Sequence, residues 1–126
     1  MIKKIDHIGI AVESLSATIP VFAEILGLDF LGTEEVPEQM VKVAKFNVGG
    51  VHIELLEPTS PESPIAKFME KKGQGIHHIS YEVDGIEGCI EQLVEKNVAM
   101  IDKTPRIGAG GLKIAFIHPK DTAKVL

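Results

Sequence analysis

The chain has 126 residues, 44% hydrophobic and 25% charged, enough apolar surface for one domain with its own core and too much for an intrinsically disordered chain. A formal net charge of −5 argues against nucleic acid or an acidic membrane as a general partner, and no apolar run approaches a membrane span. Charge is met at Lys3, Lys4 and Asp6 before any apolar stretch, so no signal peptide is expected. The single Cys89 cannot close an internal disulfide, which fits a reducing, cytoplasmic compartment.

In chain order, Ile5 to Val12 alternates as a strand. Leu15, Ile19, Phe22 and Leu26 then recur at helical spacing up to Gly27, and Pro20 suits a helix beginning at Ser16 or close by. Residues 28–34, 40–48 and 51–57 read as strands punctuated by Pro37 and Gly49–Gly50. Residues 1–57 therefore form a β-α-β-β-β module. The linker 58–73 holds Pro58, Pro61 and Pro64, and a short helix over 64–72 is bracketed by Ser63 as N-cap and Gly73 after the last turn.

The second module, 74–126, repeats the order. Ile76–Val83 is a strand, Asp84 with Glu87 resembles a capping box, and Ile86, Ile90, Leu93 and Val94 line a helix that also buries Cys89, a core role rather than a nucleophile's. Strands are expected near 99–103 and 112–118, and a last strand begins near Val125, cut off by the end of the sequence. The repeat is visible in the residues themselves: His7-Ile8-Gly9-Ile10-Ala11-Val12 is echoed by His78-Ile79-Ser80-Tyr81-Glu82-Val83.

Strand parity separates core from cleft. Ile8, Ile10 and Val12 oppose His7, Gly9 and Ala11; Val51, Ile53 and Leu55 oppose His52, Glu54 and Leu56; Ile79, Tyr81 and Val83 oppose His78, Ser80 and Glu82. One face suits packing on helices. The other brings His7, Glu54 and His78 to a common cleft floor, and two histidines at equivalent repeat positions beside a carboxylate point to a metal. His77 falls on the helix side as a structural residue. His52 shares the face of Glu54 but has no repeat partner and ranks lower. His118, before Pro119 at a strand end, suits a capping or a ligand-contact role.

Charge is uneven. From Ala99 to Leu126 five basic residues (Lys103, Arg106, Lys113, Lys120, Lys124) face two acids (Asp102, Asp121), a local +3 against −8 in residues 1–98. Such a segment suits either a small polyanion or a solvated basic surface.

Six segments, Asp6–Val12, Glu35–Gln39, Glu54–Leu56, Ser63–Ala66, Gly75–Ile79, and Ile107–Gly111 with Phe116–Lys120, resemble the vicinal oxygen chelate (glyoxalase/bleomycin-resistance/dioxygenase) superfamily. Within it the chain is most similar to the methylmalonyl-CoA epimerase family, over its whole length, with His77-His78 and His118-Pro119-Lys120 the most selective matches. The resemblance implies an α+β fold in which two pseudo-symmetric βαβββ modules form a curved mixed sheet around a metal cleft. It maps metal ligands onto His7, Glu54 (glutamine in some members) and His78. A fourth ligand, a glutamate that is also an acid/base group, is expected beyond Leu126; the 47-residue offset from His7 to Glu54, counted from His78, ends at Val125. No catalytic residue is therefore assigned within 1–126. Two departures stand out: Ala123-Lys124 where epimerases commonly have glycine, and Val43 where some members place a second acid/base glutamate.

The implied activity is that of an isomerase, a metal-dependent epimerase moving the α proton of methylmalonyl-CoA through an enolate. The implied cofactor is one divalent ion (Co, Zn, Ni or Mn), and the implied partners are a CoA thioester and a second copy of the chain. Arg106, Lys113, His118 and Lys120, with Gly108–Gly111, are candidate contacts for CoA or for the substrate carboxylate. Lactoylglutathione lyase and a non-enzymatic small-molecule-binding resistance protein of the same fold are the competing readings. The first would not be expected to carry His118-Pro119-Lys120 here, and the second typically lacks the ligand residues.

Overall fold

Alternating apolar residues build five strands, and the computed structural model, which describes residues 1–126, pairs them into one mixed sheet. The elements are β1 (Ile2–Ala11), α1 (Leu15–Pro20), β2 (Asp29–Val36), β3 (Val41–Val48), β4 (Val51–Pro58), α2 (Pro64–Lys72), β5 (Gly75–Val83), α3 (Ile86–Glu95), β6 (Arg106–Ile107) and β7 (Lys113–Ile114). Sheet order is β2-β3-β4-β1-β5; β1 and β4 run parallel and the other pairs antiparallel. No helix is long and apolar enough to cross a membrane.

Parity sorts the side chains into two cores. On one face Val12, Leu15, Ala44, Phe46 and Leu55 are buried, with Ile19 and Phe22 of the first helical segment against them. On the other, Ala11, Val36, Val41, Val43, Leu56 and Ile65 cluster under Phe68 and Met69 of α2. Each Val, Leu, Ile or Phe among them contributes roughly 1.5–3 kcal/mol by leaving water. Val36, Val41, Val43, Leu56 and Ile65 of the second cluster line the same cavity as His7, Glu54 and His78.

Local chemistry sets the boundaries. Ser14 caps α1 by accepting from the Ala17 N–H, and the helix starts at Leu15, one residue before the expected Ser16. Pro20 offers no N–H, and after it the chain widens into a π turn over Val21–Ile25, closed by Leu26 N–H to Val21 O at 2.9 Å. Ser63, Pro64 and Gly73 bracket α2 as expected.

Three expectations are corrected. The Asp84/Glu87 capping box does not form: Gly85, in a left-handed conformation (φ 63°), is the N-cap without a side-chain bond, and Glu87 pairs with Lys113 instead. The strands near 99–103 and 112–118 are reduced to a Met100–Ile117 bridge and the two-residue β6–β7 ladder. Pro105 and the glycines at 108, 110 and 111 break regular pairing, and the Asp102 carboxylate takes up the Phe116 N–H at 2.8 Å. His77 leaves the strict alternation that assigned it to the helix side, although its ring does pack on a helix. The β1–β5 register passes from Gly9↔His78 to Ile10↔Ile76, so His77 is a bulge residue and its ring packs edge-on against Phe68 of α2, 4.9 Å between centroids. The last residue does meet the sheet: Leu126 O accepts from the Ile79 N–H at 3.0 Å.

Candidate functional site

Gly9 is the hinge of the site's geometry. In the ladders it lies opposite Glu54 of β4 on one side and His78 of β5 on the other, with His7 two residues earlier on the same face. Three strands thus bring Glu54 and His78 to opposite ring nitrogens of His7. His7 Nε2 lies 2.9 Å from His78 Nε2, and His7 Nδ1 lies 3.4 Å from Glu54 Oε2.

A fourth group, absent from the candidate set, joins them. The Asp6 carboxylate lies 2.8 Å from His7 Nδ1, and Asp6, His7 and Glu54 together form a cluster that could hold a metal ion. Strict alternation puts Asp6 on the opposite face. A register shift between Ile5 and His7 breaks the alternation and turns its carboxylate back. His78 joins through the other ring nitrogen of His7, so His7 stands between the carboxylates and the second histidine.

Burial decides the charge states. Glu54 is 4% exposed, and burial pushes its pKa above the ordinary carboxylate value, partly offset by the charges of His7 and Lys45. Burial, reinforced by the neighbouring His7 and His77 charges, pushes His78 down to about 3, so its imidazole is neutral at pH 7, with Nε2 against His7 and Nδ1 2.9 Å from His77 Nδ1. His77 is also lowered by burial. Neutral imidazole and a buried carboxylate are the donors a borderline divalent cation takes. The residues fit a metal.

These groups line a cavity of about 940 Å³, together with Lys45, Arg106 and Lys113. Such a volume suits a small-molecule site. The Arg106 guanidinium sits 5.1 Å from the Phe116 ring centroid and its Nε lies 3.3 Å from Asp102. Phe116 in turn meets the His78 ring at 6.0 Å. Lys113 Nζ pairs with Glu87 at 2.6 Å. The other two candidate contacts lie elsewhere. His118 lines a separate cavity of about 590 Å³ and accepts from the Lys120 N–H at 3.0 Å, while the Lys120 side chain lines neither cavity. His52 stands opposite His7 in the ladder and lines the large cavity without entering the cluster.

Comparison with known proteins agrees with this architecture. Residues 6–116 match the family described as the Glyoxalase/Bleomycin resistance protein/Dioxygenase superfamily. The uncharacterized protein YqjC of Bacillus subtilis (strain 168) is 46% identical over 98% of this chain and 88% of its own length. The mitochondrial methylmalonyl-CoA epimerase of Homo sapiens is 37% identical over 98% of this chain and 70% of its own. A solved structure of a methylmalonyl-CoA epimerase in complex with methylmalonyl-CoA and ammonium superposes with a TM-score of 0.94 at 34% identity, covering 100% of this chain and 92% of that one. The paired modules and curved mixed sheet are those of the vicinal oxygen chelate fold, and the chain belongs to the glyoxalase/bleomycin resistance protein/dioxygenase superfamily.

Proposed function

We propose that the chain is a metal-dependent epimerase that interconverts the two epimers of methylmalonyl-CoA by 1,1-proton transfer through an enolate. The observation that carries this reading is the meeting of His7 and His78, from equivalent positions of two repeats, beside the buried Glu54 in one cavity. Relatives named as methylmalonyl-CoA epimerases, at 34–37% identity, support the choice of substrate.

His7, Glu54 and His78 would hold the divalent ion, with Asp6 orienting His7 through Nδ1. When bound, the ion supplies Lewis-acid stabilisation of the charge that develops on the thioester oxygen. The chain's own residues do the rest. Buried Glu54 and neutral His78 keep the site in a low-dielectric setting, where each electrostatic contact counts for more. Moving a proton from one face of a carbon to the other needs groups on both faces. Val43 is fully buried in the apolar cluster and carries no proton. Glu38 and Glu82 are carboxylates lining the cavity and are acid/base candidates to test. Arg106 and Lys113 would contact the CoA moiety, and the working form would be a homodimer in the cytoplasm.

The test is exchange of the α proton of methylmalonyl-CoA in heavy water, with and without added Co, Zn, Ni or Mn. Metal-dependent exchange that His78→Ala lowers by a factor of about 100 or more supports the reading. No exchange with any of these metals refutes it.

A further inference from the structure

The cleft face of β3 begins as an apolar row, Val41 and Val43, both buried, and then places Lys45 where alternation calls for another hydrophobic residue. Lys45 is the direct cross-strand partner of Glu54 and lines the large cavity. Its side chain is 24% exposed, against 49% for Arg106 and 60% for Lys113, the other lysine and arginine of the cavity wall. Lys45 is thus the most deeply set of these cations.

Its position is built rather than incidental. Glu34 of β2 places Oε1 3.3 Å from the Lys45 Nζ, while its Oε2 accepts from the Gly110 N–H at 2.8 Å. Gly110 adopts a left-handed conformation (φ 71°) open to glycine, which aims that N–H at the glutamate. The two oxygens of Glu34 therefore serve two donors, and one carboxylate fixes both the ammonium and the 109–111 turn. An ammonium carries three protons, and Glu34 answers one of them.

We propose that Lys45 is a specificity-determining residue that binds the free carboxylate of a carboxylated acyl thioester in the cavity; the substrate class rests on the epimerase reading above. A partly desolvated ammonium facing the site, with protons beyond the one that Glu34 answers, recognises a carboxylate through charge-assisted hydrogen bonds. The charge of Lys45 also reaches the site's centre, where it acts on Glu54.

Calorimetric titration of the metal-loaded full chain with methylmalonyl-CoA and with propionyl-CoA, which lacks the carboxylate, decides the matter. Lys45→Met should weaken methylmalonyl-CoA binding roughly tenfold or more and leave propionyl-CoA binding nearly unchanged. Lys45→Arg should keep the preference. Lys45→Gln serves in place of Lys45→Met if that variant does not fold by circular dichroism. An equal loss for both thioesters, or no loss for either, overturns the proposal. Failure of the parent chain to exchange the α proton removes the epimerase reading alone, because the binding preference is read independently of turnover. A parent chain that binds neither thioester overturns both.

Discussion

A Cβ on Gly9 would lie 2.3 Å from Cε1 of His78, so the His78 ring fills the space that glycine leaves open. The absence of a side chain on β1 is what lets a histidine on β5 lie over the ladder and reach His7. Gly9→Ala should therefore displace the ring. The expected cost is about 1 kcal/mol in urea denaturation and a loss of roughly 10–100-fold in metal affinity by calorimetry. Unchanged affinity would mean that the ring's seat on Gly9 does not matter to the site.

His78 also makes a pH prediction for the metal-free protein. Its folded-state value is about 3, against 6.5 for an ordinary histidine. A depressed value means the unfolded chain binds the proton first. The stability from keeping His78 neutral is complete above pH 6.5 and is lost as pH falls toward 3, on the order of 5 kcal/mol at most. Urea titrations from pH 7.5 downward should show this fall in the parent and a shallower one in His78→Gln. Parallel curves would exclude His78 as its source.

Glu54 works in the opposite direction. Burial raises its pKa above the ordinary 4.5 of a free glutamate, so its ionised form opposes folding of the metal-free chain at neutral pH, and that penalty vanishes below 4.5. Glu54→Gln should raise apoprotein stability at pH 7, with a gain that closes as pH falls. Metal affinity should drop in the same variant. A variant less stable than the parent at pH 7 would show that the carboxylate's contact with His7 outweighs its burial.

Arg106 and Lys113 reach the large cavity but already hold acidic partners, Asp102 and Glu87. Substituting either by alanine should raise KM for the CoA thioester about 3–10-fold at low salt, with kcat nearly unchanged. The effect should shrink at high ionic strength. Lys120→Ala, whose side chain lies outside both cavities, should change KM less than either. A larger effect at Lys120 would place the CoA moiety near the His118 turn instead.

Much of the site was legible because strand alternation is a local property. His7, Glu54 and His78 sort onto one face from parity alone, and Ser63, Pro64 and Gly73 mark α2 because capping chemistry acts within a few residues. What escaped was whatever depends on a partner far along the chain. Asp6 and His77 leave their alternation through irregularities in the β1–β5 pairing, which only the register between two strands some seventy residues apart can create. The capping box at Asp84 and Glu87 has the right local spacing, yet Gly85 takes the N-cap and Lys113 takes the glutamate.

The sequence by itself determined the order of the modules, the faces of their strands and the residue types available to a metal. Tertiary structure alone decided which nitrogen of His7 meets which neighbour, that Asp6 joins the cluster, and that Glu34 ties Lys45 to Gly110 across 76 residues of chain. Periodicity fixes where a side chain points along its own strand. Contact between strands depends on register and bulges, which are set by pairing and packing across the whole sheet.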